Sequence, residues 1–219
     1  MGNQKEDSKS IPKAVIERLP RYYRYIGELK SANVERVSSQ ELSSIMKVTA
    51  SQIRQDLNHF GGFGQQGYGY NVEMLHREIG KILGLEERHN LVIIGAGNLG
   101  QALANYMNFE SRGFVVCGAF DINPELIGKK LRCVTIRPVS ELRDFIMDNQ
   151  IDIAILSVNK EGAPGIAEIL VKCGIKAILN FAHVDLNVPD GVIVENVHLS
   201  DSLMKLSYNI HKYEEGKNE

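Results

Sequence analysis

Apolar side chains at Val15, Ile16 and Leu19 recur at helical spacing, the pattern of a helix that buries one face. Ser10 stands where a cap belongs and Pro12 falls in the first turn, where its missing N–H is no loss. Pro20 is expected to break or kink this helix, and a second helical run follows from Arg21 to Leu29, with Tyr22, Tyr23, Tyr25 and Ile26 turned into a core. Two shorter helices come next. Ser38-Ser39-Gln40-Glu41 reads as a capping box opening a helix to about Met46, Lys47-Val48 as a tight turn, and Thr49-Ala50-Ser51-Gln52 as a second box whose helix closes at Gly61 and Gly62. Two helices joined by so short a turn form a helix-turn-helix. From Gly61 to Tyr70 glycine recurs nearly every second or third residue, which excludes a helix and predicts a β-hairpin. A flexible linker is the alternative, and the interleaved Phe63, Tyr68 and Tyr70 favour an ordered ribbon, the wing of a winged helix. An amphipathic helix over Val72–Leu85 then leads to the charged run Glu86–Asn90.

Beyond that run the period changes. Leu91 to Ile94 is continuously apolar, as in a parallel strand buried on both faces. A glycine turn, a helical run over Ala102–Met107 and a strand over Phe114–Phe120 follow. Further on come a helix from Ser140 to Asp148 capped by Ser140, a strand over Asp152–Val158, a helix over Pro164–Cys173 stopped by Gly174, and strands over Lys176–Asn180 and Val192–Val194. Strands alternating with helices predict an α/β fold, a Rossmann-type doubly wound parallel sheet. Leu199, Leu203, Leu206 and Ile210 then mark a last helix with an apolar stripe that must be covered by its own domain or by a second subunit. The expected organisation is a flexible tail (1–10), an N-terminal winged-helix domain (11–85), a Rossmann domain (86–197) and a C-terminal helix (198–219).

Composition narrows the partners. A net charge of −2 gives no global attraction to nucleic acid. Residues 1–60, however, hold ten Lys/Arg against seven Asp/Glu, so any such surface lies in the first domain and the remainder of the chain is net acidic. Cys117, Cys133 and Cys173 are odd in number and widely spaced, which argues against a metal site or a disulfide framework and fits a reducing, cytoplasmic setting. No run of eighteen apolar residues exists, and Met1–Ser10 is too polar for a signal peptide or a membrane anchor.

The candidate chemistry centres on Gly95-Ala96-Gly97-Asn98-Leu99-Gly100. In a dinucleotide fold the first glycine permits the turn, the second admits a pyrophosphate and the third lets helix and sheet pack closely. The phosphates rest on the free N–H groups of the helix start. Asp121, with Ile122 beside it, stands where a carboxylate holds the adenosine ribose, and it would repel a 2′-phosphate, favouring NADH/NAD+ over the phosphorylated cofactor. The remaining strand ends bring Ser157, Val158, Asn159, Asn180, Phe181 and Ala182 toward the same crevice. In the first domain Ile53, Leu57 and Phe60 can enter a core, while Ser51, Gln52, Arg54, Gln55, Asn58 and His59 face the other way. With Lys47, Thr49, Gln66 and Tyr68 these form a candidate DNA-binding set, although a merely solvated face has the same pattern.

Taken together, Val48-Thr49-Ala50-Ser51-Gln52-Ile53-Arg54-Gln55-Asp56-Leu57, Gly67-Tyr68-Gly69-Tyr70, the glycine turn, Phe120-Asp121, Leu179-Asn180-Phe181-Ala182 and Leu206-Ser207-Tyr208 resemble the bacterial redox-sensing transcriptional repressor Rex family from Pro12 to about Tyr213. The resemblance implies a homodimer that exchanges its C-terminal helices and binds a palindromic operator in double-stranded DNA. It further implies release by NADH in competition with NAD+, and control of fermentation or respiration genes. It places Tyr106 toward the nicotinamide side of the partner's pocket and makes Arg24 the arginine that changes partners between the DNA-bound and NADH-bound states. The family's acid that receives this arginine corresponds to His198, which cannot form the same ion pair; Asp201 could substitute. Gln55 and the Gln65-Gln66 pair also stand where basic residues are common, which implies a shallower salt dependence of DNA binding.

Two other readings remain open on the sequence. A dehydrogenase needs a proton donor beside the nicotinamide, and only His183 and Lys160 are near, with 25 residues left after Val194 for a substrate domain. A regulator sensing another nucleotide, NADP(H) or a nucleotide sugar, would share the same turn.

Overall fold

The computed structural model describes residues 11–60, 64–65, 68–106 and 109–215. The chain divides into two compact units, Met1–Glu87 and Arg88–Glu219.

In the first unit the helix α1 (Lys13–Ser31) continues through Pro20 without a break. The expected break is absent for a physical reason. Val15, Leu19, Tyr22 and Ile26 lie buried on one face spanning the proline, while Pro20 itself is exposed on the other. Packing on both sides outweighs the roughly 3 kcal/mol that an interior proline costs. Pro12 takes the cap position without a side-chain bond, and Ser10 lies outside the described residues. α2 (Ser39–Met46) has the full predicted box: Glu41 N–H donates to Ser38 Oγ at 3.1 Å and Ser38 N–H to Glu41 Oε2 at 2.7 Å. Lys47 turns the chain at φ 53° into α3 (Ala50–Asn58). Only half of the second box forms. Thr49 Oγ1 accepts from Gln52 N–H at 3.1 Å, but the Gln52 side chain turns to Asp56 at 2.7 Å instead of reaching back. α3 ends at Asn58, short of Gly61 and Gly62, which with Phe63, Gln66 and Gly67 lie outside the described residues.

The hairpin strands β2 (Gly64–Gln65) and β3 (Gly69–Asn71) pair antiparallel, as the glycine spacing predicts. A third strand, β1 (Arg36–Val37), is added to β3 and was not predicted, since two residues cannot express an alternation. Asn71 caps α4 (Val72–Ile82), and Leu42, Ile53, Leu57, Leu75 and Ile79 join the buried face of α1 in one core.

The second unit is built on β4 (His89–Ile94), β5 (Phe114–Asp121), β7 (Val134–Pro138), β8 (Ile153–Leu156), β9 (Ala177–Asn180) and β10 (Ile193–Asn196), all parallel to their neighbours, with β6 (Lys130–Leu131) added antiparallel to β7. The order β10-β9-β8-β4-β5-β7-β6 is the doubly wound arrangement, and the winding reverses between β4 and β8. α5 (Asn98–Ala104) starts directly at the glycine turn, earlier than the apolar run suggested, and ends before Met107, which lies outside the described residues. α6 (Leu142–Asp148) is entered through a 3-10 turn without a cap from Ser140. Together with α7 (Ala163–Lys172) it covers Val92, Ile94, Phe120, Ala154, Leu156 and Ile178 on one sheet face.

The other sheet face is less well covered. Beside β8, β9 and β10 it leaves an open apolar groove of about 290 Å³ lined by Ile153, Ile155, Ala177, Leu179 and Ile193. The predicted stripe on α8 (Leu199–Glu215) forms, and Leu199, Leu203, Leu206 and Ile210 are all more than half exposed in the single chain.

Candidate dinucleotide and nucleic-acid sites

The glycine turn is locked to the sheet at its two ends and open in its middle. Gly95 has φ 94°, and a Cβ there would overlap the Ser157 carbonyl oxygen. A Cβ on Gly100 would overlap the Gly95 carbonyl oxygen. Neither position admits any other residue unless the backbone moves. A Cβ on Gly97, by contrast, meets nothing within 4 Å. That is the combination a pyrophosphate cradle requires: tight packing behind, free backbone in front. Gly97, Asn98 and Leu99 are exposed, whereas Ala96 and Gly100 are buried.

Ser157, at the end of β8, braces the turn by donating from Oγ to Gly95 O at 2.8 Å, a positioning role beyond what strand ends alone suggested. Gln101 Nε2 holds Ala96 O at 2.8 Å, and nothing in the glycine spacing signalled it. Asp121 stands beside the turn. Its Oδ2 accepts from Ala96 N–H at 2.6 Å and its Oδ1 from Asn123 N–H at 2.8 Å. A carboxylate has about four lone-pair sites, so capacity remains for a diol. Ile122 is 81% exposed beyond it.

The other predicted cofactor residues separate into two groups. Val158 packs against Gly95, and Asn159 Oδ1 accepts from Gly162 N–H at 3.0 Å ahead of α7. Asn180 is fully buried and its amide works within the protein: Nδ2 donates to Val184 O and Asn196 Oδ1, both at 2.8 Å, and Oδ1 accepts from Ala182 N–H at 3.0 Å. Its side chain shapes the loop after β9. Phe181 is anchored by its N–H to Leu156 O, and the Ala182 methyl is buried. Tyr106 is 47% exposed and meets Phe109 edge-on at 5.1 Å.

In the first unit, Ser51, Arg54, Gln55 and Asn58 of α3 and His59 just after it are exposed, together with Lys47, Thr49 and Tyr68. Thr49 has its hydroxyl in the cap, and Arg54 donates to Ser39 Oγ at 3.0 Å. Gln66 lies outside the described residues. Gln52 is half-buried and belongs to a cluster that sequence reasoning missed. Asp56 is fully buried and accepts four hydrogen bonds: from Arg18 Nε (2.7 Å) and Nη2 (2.8 Å), Tyr22 OH (2.9 Å) and Gln52 Nε2 (2.7 Å). Burial pushes the Asp56 carboxyl up, but the bonds from Arg18, Gln52 and Tyr22 outweigh it and hold the group below the usual carboxylate range. The same burial, reinforced by the bond to Asp56, drives the Tyr22 phenol far up. α1 and α3 are thereby tied through one buried charge.

Arg24 is exposed, its guanidinium 5.2 Å from the Tyr25 ring centroid, and His198 is stacked on His183 with centroids 5.7 Å apart. Among the described residues no group of three or more His, Cys, Asp or Glu side chains is placed to hold a metal, and no helix is long and apolar enough to cross a membrane.

Comparison with known proteins agrees with both halves of this geometry. Residues 10–58 match the family model for a putative DNA-binding protein N-terminus, and residues 86–184 that for a CoA binding domain. The redox-sensing transcriptional repressor Rex of Thermoanaerobacter sp. (strain X514) is 59% identical over 204 residues, 93% of this chain and 91% of that protein. Its namesake in Clostridioides difficile (strain 630) is 58% identical, covering 92% and 96% respectively. Among solved structures, RSP in complex with beta-NAD+ and operator DNA superposes with a TM-score of 0.88 at 59% identity, covering 95% of this chain and 96% of that one. RSP in complex with beta-NADH gives 0.88 at 55% identity, covering 96% and 99%. These relatives are repressors rather than enzymes, and the fold agrees with the solved ones along nearly the whole length. The chain belongs to the redox-sensing transcriptional repressor Rex family.

Proposed function

We propose that this chain is a cytoplasmic repressor that binds a palindromic operator as a homodimer while NAD+ occupies it, and that NADH releases it. The observation that carries this reading is the occurrence, in one chain, of a helix-turn-helix with an exposed polar face and a glycine turn with an open centre. Relatives at 55–59% identity are known with NADH and with NAD+ plus operator DNA. In this reading residues 11–85 bind DNA, 86–197 bind the dinucleotide and 198–219 join the dimer. Gly95, Gly97 and Gly100 hold the pyrophosphate, and Asp121 accepts from the ribose hydroxyls. The cofactor supplies a charge that depends on redox state, positive on the nicotinamide of NAD+ and absent from NADH. Tyr106 and Arg24 are the residues that respond to it. The exposed stripe of α8 and the apolar groove beside β8–β10 are surfaces a single chain leaves uncovered, which supports a second copy as the partner. Titrating NADH into the protein bound to a short inverted-repeat duplex tests the whole. Stepwise dissociation is expected, and indifference to NADH would overturn it.

Two further outcomes follow from single side chains. Asp121→Ser is expected to raise NADPH binding relative to NADH by at least about tenfold, because like charges a few ångströms apart repel by about 4 kcal/mol at an effective dielectric of 20, before solvent screening. Competition titrations with NADH and NADPH read this directly. His198→Asp supplies the acid that the family resemblance places opposite Arg24. It is expected to widen the ratio of operator affinity without and with NADH by about threefold, the worth of one partly exposed ion pair. Identical ratios in both proteins would mean that another group, such as Asp201, already takes that role.

A further inference from the structure

The cluster around Asp56 does more than fasten two helices. A carboxylate can only accept, so the Gln52 amide must turn its Nε2 toward Asp56 and its Oε1 away. Glutamine amides on a protein surface flip freely between two orientations that present opposite hydrogen-bonding patterns. Here Asp56 forbids one of them, and Asp56 is itself held by Arg18 and Tyr22 from α1. Gln52 keeps Oε1 as an acceptor and a second N–H as a donor. It lies in the first turn of α3, the part of a recognition helix that meets base edges. Gln55, one helical turn from Ser51 on the same helix, is exposed and lies outside this cluster.

Resting on the DNA-binding reading above, we infer that Gln52 is a specificity-determining residue for adenine in the operator half-site, with Asp56 as the positioning residue that fixes its amide. Adenine offers a donor at N6 beside an acceptor at N7 in the major groove, the complement of the edge that Gln52 retains. Guanine offers two acceptors there and suits the flipped amide that Asp56 excludes.

Selection from a randomised inverted-repeat duplex library by the full-length protein, with NAD+ present and NADH absent, tests both roles. The wild type is expected to enrich adenine at one position per half-site, preferring it about tenfold over guanine. Gln52→Ala is expected to flatten that position alone, with the other positions keeping their profile. Asp56→Asn places an amide donor opposite Gln52, lets its Oε1 turn inward, and is expected to shift the same position toward guanine. Gln52→Ala leaves the Arg18–Asp56 pair in place, so it decides the role of Gln52 whether or not Asp56→Asn folds. An unchanged profile in Gln52→Ala would overturn the assignment of Gln52. An unchanged adenine preference in a folded Asp56→Asn would overturn the positioning role of Asp56. A wild type that enriches no sequence would instead overturn the DNA-binding reading beneath both.

Discussion

Gly100→Ala is expected to weaken NADH binding by up to about a hundredfold and to blunt the response of operator binding to NADH. The added methyl has no room, because it would overlap the Gly95 carbonyl oxygen. That oxygen is pinned by Ser157 Oγ at 2.8 Å, and Gly95 N–H is pinned to Phe120 O at 2.8 Å, so the turn cannot yield without disturbing β5 and β8 together. Overpacking of this kind costs about 1–3 kcal/mol, and its upper end is a hundredfold in an equilibrium constant. Gly97→Ala separates the effect on fold from the effect on ligand. Its methyl meets nothing within 4 Å in the protein, so the variant is expected to unfold at the wild-type temperature and still lose NADH. Calorimetric titration with NADH beside thermal unfolding distinguishes the two variants. Full NADH affinity in Gly97→Ala would place the pyrophosphate elsewhere.

The two sites were unequally legible in the sequence. The glycine turn and Asp121 could be read because the chemistry is local: a strand, a turn, a helix start and one acid at a known spacing. The caps of α2 and α3 were readable for the same reason, since Ser38 bonds Glu41 and Thr49 bonds Gln52, each pair three residues apart. Whatever depends on distant partners was not. Asp56 looks like any acid in a polar helix, and only its bonds to Arg18 and Tyr22, 38 and 34 residues away, reveal it as buried. The helical pattern puts Gln52 in the outward set, and only its bond to Asp56 shows that its amide is held in one orientation. Asn180 sits at a strand end, where a ligand residue is expected, but its amide bonds Asn196 across the sheet edge. α1 passing through Pro20 belongs to the same class, because tertiary burial overrides a local rule. The two-residue strands β1 and β6 carry too few side chains for any period to appear, whereas β2, equally short, is marked by the glycine spacing around it.

Arg18→Met is expected to destabilise the first unit by about 3–5 kcal/mol, the cost of leaving a buried charge without its partner. The asymmetry of the pair sets the size. Arg18 retains 30% of its side-chain exposure, so a lone arginine could still reach water, whereas Asp56 retains none. Removing the arginine therefore leaves the carboxylate with only Tyr22 and Gln52 as donors. The pH dependence distinguishes this cause from lost packing. In the wild type the folded Asp56 titrates below its unfolded value, so its ionised form stabilises the fold above about pH 4, and that contribution is lost as pH falls through the depressed folded value. Without Arg18, burial becomes the largest influence and pushes the carboxyl up, so the folded variant takes up a proton more readily than the unfolded chain. Its deficit is then greatest near neutral pH and narrows below about pH 5. Urea unfolding followed by far-ultraviolet circular dichroism is the suitable measurement, since the chain has no tryptophan. A deficit under about 1 kcal/mol that is equal at neutral and acid pH would be that of a solvated surface pair, and α1 and α3 would then be joined by their apolar contacts alone.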